Sequence, residues 1–505
     1  MSEQQSMPSA PESWRFSYEA VADLPRLAWL ARVDWPNVRV WSGSDVRREE
    51  SGFLEGTWSG DTELASVTRS STVFGSGIVG SRTELIVVTP AHTLEPVYHS
   101  HSADGKVVVS NSLVALLEAT GRSLRDDAPY PRLFSQITRG VSHGTIPLPV
   151  EPTGAEPVTV QFYENLAISA DGRVHVQRKP RDERPFESFA DYRDRLVGHV
   201  ASAFANARQF EPLATISSGY DSTASASVGA RAGCRLAATF TTGWPWRGYH
   251  GTDDSGEKAA RAMGMTVECF ERMAYLDLDD APEAEFLATG MSGEDVVYRS
   301  MERALGGKMV LTGFWGGAAW RGYDRSEMSR LDLSGASLGE LRLRTGFVHL
   351  PVPYVGGLQQ PTMARLRKSP EMQPFSVGGR YDEPFARRLA EEFGVQRGTF
   401  GVQKLATSHR IHTNGLAAFS ESGRESFAAF AGPDALIPRP RRPITGVDRL
   451  KIRVAKAARM SHLTEDIAQR RREAVHIEPV LGALMLRWAV EQTRPRYSAL
   501  RGLGR

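Results

Sequence analysis

Cysteine is almost missing from this chain: Cys234 and Cys269 are the only two among 505 residues. Two thiols cannot build a disulfide framework and do not stand as a zinc or redox pair, so a reducing compartment, the cytoplasm, is the simplest setting. Long apolar runs are missing too. No stretch approaches the roughly 18 uninterrupted apolar residues that cross a bilayer, which argues against a membrane-embedded chain. An excess of one charge sign is also absent: Lys and Arg number 61 against 59 Asp and Glu, a net +2. Overall charge therefore cannot hold nucleic acid or anionic lipid, and small-molecule chemistry is favoured. The opening MSEQQSMPSAPE has neither the basic start nor the apolar core of a secretory signal, and residues 1–13 read as a mobile tail. Internal repeats and low-complexity tracts are not found.

What is present is the composition of an ordinary globular protein, 24% charged and 41% hydrophobic, with length for two or three domains. From Trp14 to Val176, short apolar runs alternate with turn residues, and residues 38–41, 84–88, 106–109, 157–162 and 166–169 read as strands. Residues 112–119 read as a short helix with Leu113, Leu116 and Leu117 on one face. The polar stretch 178–189 marks a boundary, so residues 14–182 are expected to form a strand-rich layered domain. Beyond it the order changes: a helix over 192–208, a strand at 213–216, a loop, a helix to Ala232, a strand at 236–240, a helix near 255–263, and strands at 266–270 and 309–311. The sequence after that reads as mostly helical. Helices alternating with short apolar strands imply an α/β domain with a parallel sheet, assigned to 183–440. A basic helical extension, 441–505, completes the chain. From Arg439 to Arg505 there are 16 Lys or Arg against 6 Asp or Glu, which leaves the rest of the chain at −8. That segment is either a solvated, paired surface or a basic wall around phosphates or an anionic partner.

The informative stretch is LATISSGYDSTASASVGARAGCRLAATF, residues 213–240, which reads strand, Ser/Gly loop, helix, strand. Its loop, Ser217, Ser218, Gly219, Tyr220, Asp221 and Ser222, stands at the carboxyl end of a strand, where open parallel sheets bind ligands. Gly219 allows close backbone approach, the serine hydroxyls donate hydrogen bonds, and a helix starting near Ser222 aims free amides at an anion. Asp221 would repel a bare phosphate, so it makes sense with a Mg²⁺ between them. The spacing and lysine of a Walker loop are missing. The same six residues also suit a turn and helix cap rich in Ser and Asp.

The loop resembles the SGGxDS loop of the N-type ATP pyrophosphatase superfamily (PP-loop enzymes), with Ser218 in place of the first glycine. More broadly, residues 80–410 resemble the asparagine-synthetase family. In the first half the resemblance rests on Pro96-Val97-Tyr98, on Asp104 to Ser110 with Leu113 to Leu117, and on Gly144-Thr145-Ile146 with Pro149 and Val158 to Phe162. In the second half it rests on Asp254-Ser255-Gly256-Glu257 with Ala259, Ala260 and Gly264, and on Gln373-Pro374-Phe375 with Asp382. The resemblance implies a glutaminase-like domain of Ntn type followed by a PP-loop synthetase domain that adenylates a carboxylate. Val310 to Trp320 resembles the family's second phosphate loop, "vvLsGxGxDE", which adds Thr312 and Gly313 as ATP contacts. Lys404 resembles the family's lysine near the leaving group; the bland alternative is a surface lysine.

Two departures stand out. The family's glutaminases use an N-terminal Cys, whose thiol attacks the amide; here position 2 is Ser2. The first domain then reads as degenerate, and the amine as free ammonia or another molecule's amino group, an arrangement that resembles lasso-peptide cyclases and β-lactam synthetases. In the second loop, Gly317 and Ala318 stand where the pattern has an acidic pair, and Asp324, Glu294 or Asp295 are the candidates to supply the missing metal carboxylate, although spacing alone does not bring any of them to the metal. The resulting expectation is an ATP- and Mg²⁺-dependent, AMP-forming amide ligase acting on small-molecule or peptide carboxylates and amines, with no membrane or nucleic-acid partner and a homodimer left open. Two rivals remain: a non-catalytic adenine-nucleotide-binding protein, and a PP-loop enzyme that modifies RNA. His99 and His101 suggest a metal pair without a third ligand. Trp244, Trp246 and Trp315 are either pocket walls or ordinary aromatic packing.

Overall fold

The computed structural model describes residues 13–432 and 479–504, apart from 82, 183, 246–251, 321–327, 331–332, 380, 410 and 412–414. Residues 1–12, Trp246, Asp324 and most of the basic segment (433–478) lie outside the described residues.

Two sheets dominate the first part of the chain. One has seven strands in the order Arg15–Ala20, Asn37–Ser42, Trp29–Asp34, Val107–Ser110, Val97–His101, Val158–Gln161, Thr145–Leu148. The other has six: Val174–Gln177, Asn165–Ser169, Glu84–Val88, Val73–Gly80, Gly52–Trp58, Arg47–Glu49. Alternation along each strand sends successive side chains to opposite faces. Ala31, Val97, Val107 and Val109 of the first sheet share one apolar core with Phe53, Ile78, Val87 and Ile168 of the second, so the sheets lie face to face. Their sequence neighbours Leu30, Tyr98 and Val108 belong to a second core. There they meet helix α1 (Leu113–Thr120), whose N-cap Ser112 accepts from the Ala115 amide.

Helix α2 (Phe189–Asn206) opens the second part, capped by Ser188, with Tyr192, Leu196, Val200 and Ala203 on its buried stripe. It starts earlier than the expected 192, because Ser188 supplies the cap. Five strands follow: β1 (Glu211–Thr215), β2 (Leu236–Phe240), β3 (Thr266–Phe270), β4 (Lys308–Thr312) and β5 (Val348–Pro351). They form a parallel sheet in the order β3-β2-β1-β4-β5. β5 is four residues with a buried histidine at its centre, too short for a sequence pattern to separate it from the helical reading of that region. Helix α3 (Tyr220–Ala232) connects β1 to β2. Chain order reverses between β1 and β4, and at such a reversal the connections diverge and leave a crevice beyond the carboxyl ends of the strands. The strand Val73–Gly80 of the six-stranded sheet contacts β5, which joins the two parts of the molecule. No helix among the described residues is long and apolar enough to cross a membrane.

Candidate functional site

The segment after β1 is shaped by its own hydroxyls. Ser222 Oγ accepts from the Ser217 amide at 3.0 Å and lies 2.8 Å from Ser217 Oγ, which accepts in turn from the Gly219 amide at 3.1 Å. Helix α3 starts at Tyr220, two residues before the expected Ser222, so Tyr220, Asp221 and Ser222 form its first turn. Gly219 is the N-cap and has no side chain to cap the first-turn amides. An uncapped first turn carries donors and positive partial charge toward whatever lies ahead of it.

The segment after β4 closes on the same place. A Cβ at Gly313 would lie 2.5 Å from the Asp221 carbonyl carbon, and one at Gly316 would lie 2.7 Å from Asp221 Cγ. Only glycine permits this approach, so Asp221 sits at the junction of the two segments. Trp315, between the two glycines, has φ +70°, a left-handed conformation that costs a bulky residue energy. Two contacts hold it: its indole stacks on Tyr354 at 4.6 Å and its Nε1 donates to the Ser329 carbonyl at 2.9 Å. Position 315 is where the resembled pattern has its second glycine. A Cβ at Gly317 would lie 3.5 Å from Asp221 Oδ2, so position 317, where the resembled pattern has an acid, faces the Asp221 carboxylate.

A third segment brings aromatics and cations. The ring of Tyr220 lies between Tyr381 at 4.8 Å and Phe400 at 5.8 Å, and its phenol accepts from the buried Arg387. Tyr381 Oη is 3.5 Å from the Tyr220 amide; burial and the Asp221 carboxylate push the Tyr381 phenol up, which keeps it neutral. Lys404 is exposed, with Nζ 5.7 Å from the centre of the Tyr381 ring. It therefore stands at the margin of the site, separated from the helix start by the Tyr381 ring. The Gly401 amide donates to the Ser218 carbonyl at 2.7 Å and ties this segment to the first.

Asp254 is a residue the sequence reading did not assign to the site. It is 2% exposed, accepts from Ser218 Oγ at 2.6 Å through its carboxylate and from the Ser218 amide at 2.9 Å through its carbonyl. Burial pushes its carboxyl up to about 6, against the lowering effect of the Ser218 hydrogen bonds. Its pairing spans 36 residues, so no local pattern reveals it. Of the expected substitute carboxylates, Asp295 spends both oxygens on the Gly335 and Ser337 amides and the Ser337 hydroxyl. Glu294 accepts from Ser334 Oγ at 3.3 Å.

Among the described residues, no three His, Cys, Asp or Glu side chains gather as a metal cage. Mg²⁺ is commonly held by one or two carboxylates together with substrate phosphates, so Asp221 fits that phosphate-bridged mode and not a cage made by protein alone. His101 pairs with Glu156 at 2.8 Å, while His99 is half-buried, and its desolvation pushes it down to about 4. Thr312 ends β4 and Gly313 follows it; Thr312 is only 1% exposed. Trp244 lies in a short strand, Thr242–Pro245, that pairs with Leu405–Ala406 next to Lys404. No known protein-family model matches the chain, and no similar curated protein is found.

Proposed function

We propose that this crevice binds ATP and that the protein is an AMP-forming amide ligase of the asparagine-synthetase type, with a degenerate Ntn-like N-terminal domain and a PP-loop synthetase domain. The observation that carries the reading is the meeting of two glycine-bearing segments, from β1 and β4, at Asp221 on the switch point of a five-stranded parallel sheet. The uncapped start of α3 supplies donors for a pyrophosphate group. Asp221 would hold Mg²⁺, which would supply positive charge to offset the leaving group. A substrate carboxylate oxygen attacks the α-phosphorus and pyrophosphate departs. An amine then attacks the acyl carbon and AMP departs. The protein contributes by positioning and by charge stabilisation. Lys404 is a point charge at the edge of the crevice, suited to a departing anion once it passes Tyr381.

Exchange of labelled pyrophosphate into ATP, dependent on an added carboxylate, is the test. Exchange with some acid in a panel of amino acids and peptides is expected. ATP binding with no exchange across the panel would favour the second reading, a nucleotide-binding protein without turnover, which Gly317 and Ala318 favour by replacing the acidic pair.

A further inference from the structure

The N-terminal part of the molecule reaches the β4 loop from its segment 92–95 by two separate routes. The first runs through β5. Glu95 Oε1 lies 2.9 Å from His349 Nδ1, and His349 Nε2 lies 2.9 Å from Thr312 Oγ1. Glu95, His349 and Thr312 are 4%, 1% and 1% exposed. Arg342 anchors the far end: it makes two hydrogen bonds to Glu55, at 2.6 and 3.0 Å, and its Nε lies 3.0 Å from Glu95 Oε2 as an ion pair without an aligned hydrogen bond. The second route starts two residues earlier. Thr93 Oγ1 lies 2.8 Å from Tyr354 Oη, and Tyr354 is the ring on which the left-handed Trp315 stacks. Thr312 and Trp315 both belong to the turn that closes on Asp221.

The Thr312, His349 and Glu95 connections have the form of a nucleophile, base and orienting acid. Burial decides against that use, since an acyl group cannot reach a hydroxyl in a residue 1% exposed. What the connections can do is fix geometry. Burial alone would raise the Glu95 pKa, but Arg342 and His349 outweigh it and hold the carboxyl at about 2, so it is a carboxylate that only accepts. His349 Nδ1 must then carry a proton. On the other side of the ring, His349 Nε2 pairs with the Thr312 hydroxyl.

We propose that the segment 92–95 is a positioning clamp for the β4 loop, acting on Thr312 through His349 and on Trp315 through Tyr354, so that the N-terminal domain serves the phosphate site by holding its second wall. His349, Glu95, Thr93 and Tyr354 are positioning residues. The link to nucleotide affinity rests on the ligase reading of that loop; the clamp itself does not.

Two histidine substitutions separate the contacts by length. An asparagine amide reaches only as far as Nδ1 and keeps Glu95, whereas a glutamine amide reaches as far as Nε2 and keeps Thr312. Hydrogen exchange of the Gly316, Ala318, Ala319 and Trp320 amides, with helix α2 as internal reference, is the readout in the full chain. H349N and T93V should each speed exchange in that loop about tenfold, the scale of one lost hydrogen bond. H349Q keeps Thr312 but breaks the Glu95 contact, so it should speed exchange as well, and the H349N/T93V pair should exceed either single change; wild-type protection in H349Q would show that the segment 92–95 does not act through His349. Unaltered loop exchange in folded H349N and T93V overturns the clamp, and so does an equal rise in α2. Binding of ATP with Mg²⁺ is measured in parallel: about tenfold weaker binding in H349N and in T93V is expected. A wild-type chain that does not bind ATP refutes the nucleotide reading while the exchange result still decides the clamp.

Discussion

Asp254 is a carboxyl poised to change charge near neutral pH, because burial lifts it from 3.8 to about 6. A pKa higher in the folded state than in the unfolded one means that the folded chain holds the proton more tightly. The stability this contributes is complete below about pH 3.8 and is lost as the pH rises through about 6. Two units correspond to roughly 3 kcal/mol. D254N keeps a partner for Ser218 but cannot ionise, so its denaturation midpoint should stay flatter than the wild type's from about pH 4 to 7. Parallel midpoint curves for the two proteins would contradict this account. The same charge opposes phosphate, so metal-free ATP affinity should weaken through this window in the wild type more than in D254N. Gly317 tests the neighbouring acid. A Cβ there makes an ordinary 3.5 Å contact with Asp221 Oδ2, so G317D fits sterically but sets two carboxylates side by side. Its melting temperature should fall without Mg²⁺ and recover with Mg²⁺, while the wild type changes little. A variant insensitive to Mg²⁺ would show that position 317 does not face a metal site.

At the scale of elements, the turn from Thr312 to Gly316 stores strain at Trp315 and holds it by stacking. W315G would remove a left-handed penalty of about 1 kcal/mol but lose an aromatic contact worth about 3. A net loss of about 2 kcal/mol in chemical denaturation is therefore expected; a gain would mean that strain outweighs packing. How such elements read in the sequence depends on how local their causes are. Residues 84–88, 236–240 and 266–270 were legible to the residue, since alternation or an apolar run between turns states a strand by itself. The start of α3 was misplaced by two residues because Gly219, not a serine, is its N-cap. Ser217, Ser218, Gly219 and Asp221 were legible as one loop between a strand and a helix because the three are contiguous. Asp254, the left-handed Trp315 and the His349 contacts were not, as they depend on partners 14 to 254 residues away.

The whole molecule is joined by buried charge as much as by apolar packing. Arg342, from the helix Gly339–Thr345, is 3% exposed and lies between Glu55 and Glu95 of the other part of the chain. The chain's C-terminal stretch adds to the seam: Arg494 and Arg501 pair with Glu118 of α1, and the Tyr497 phenol donates to Glu340 at 2.6 Å. A buried ion pair need not stabilise relative to apolar packing, but removing one partner leaves the others without compensation, at a cost of about 3–5 kcal/mol. R342M keeps the volume and removes the charge, so it should lose that amount near pH 8. Burial already raises Glu55, and without the guanidinium it would take up a proton well above the usual carboxylate range. The gap between R342M and wild type should therefore narrow as the pH is lowered from about 8 to 5, because protonation relieves the uncompensated charge. Unfolding followed separately by Trp29 and Trp58 in the first part and Trp488 in the last helix would show whether the seam makes one cooperative unit. Coincident transitions are expected in the wild type and separated ones in R342M, and separation already present in the wild type would show that the charged seam does not couple the two parts.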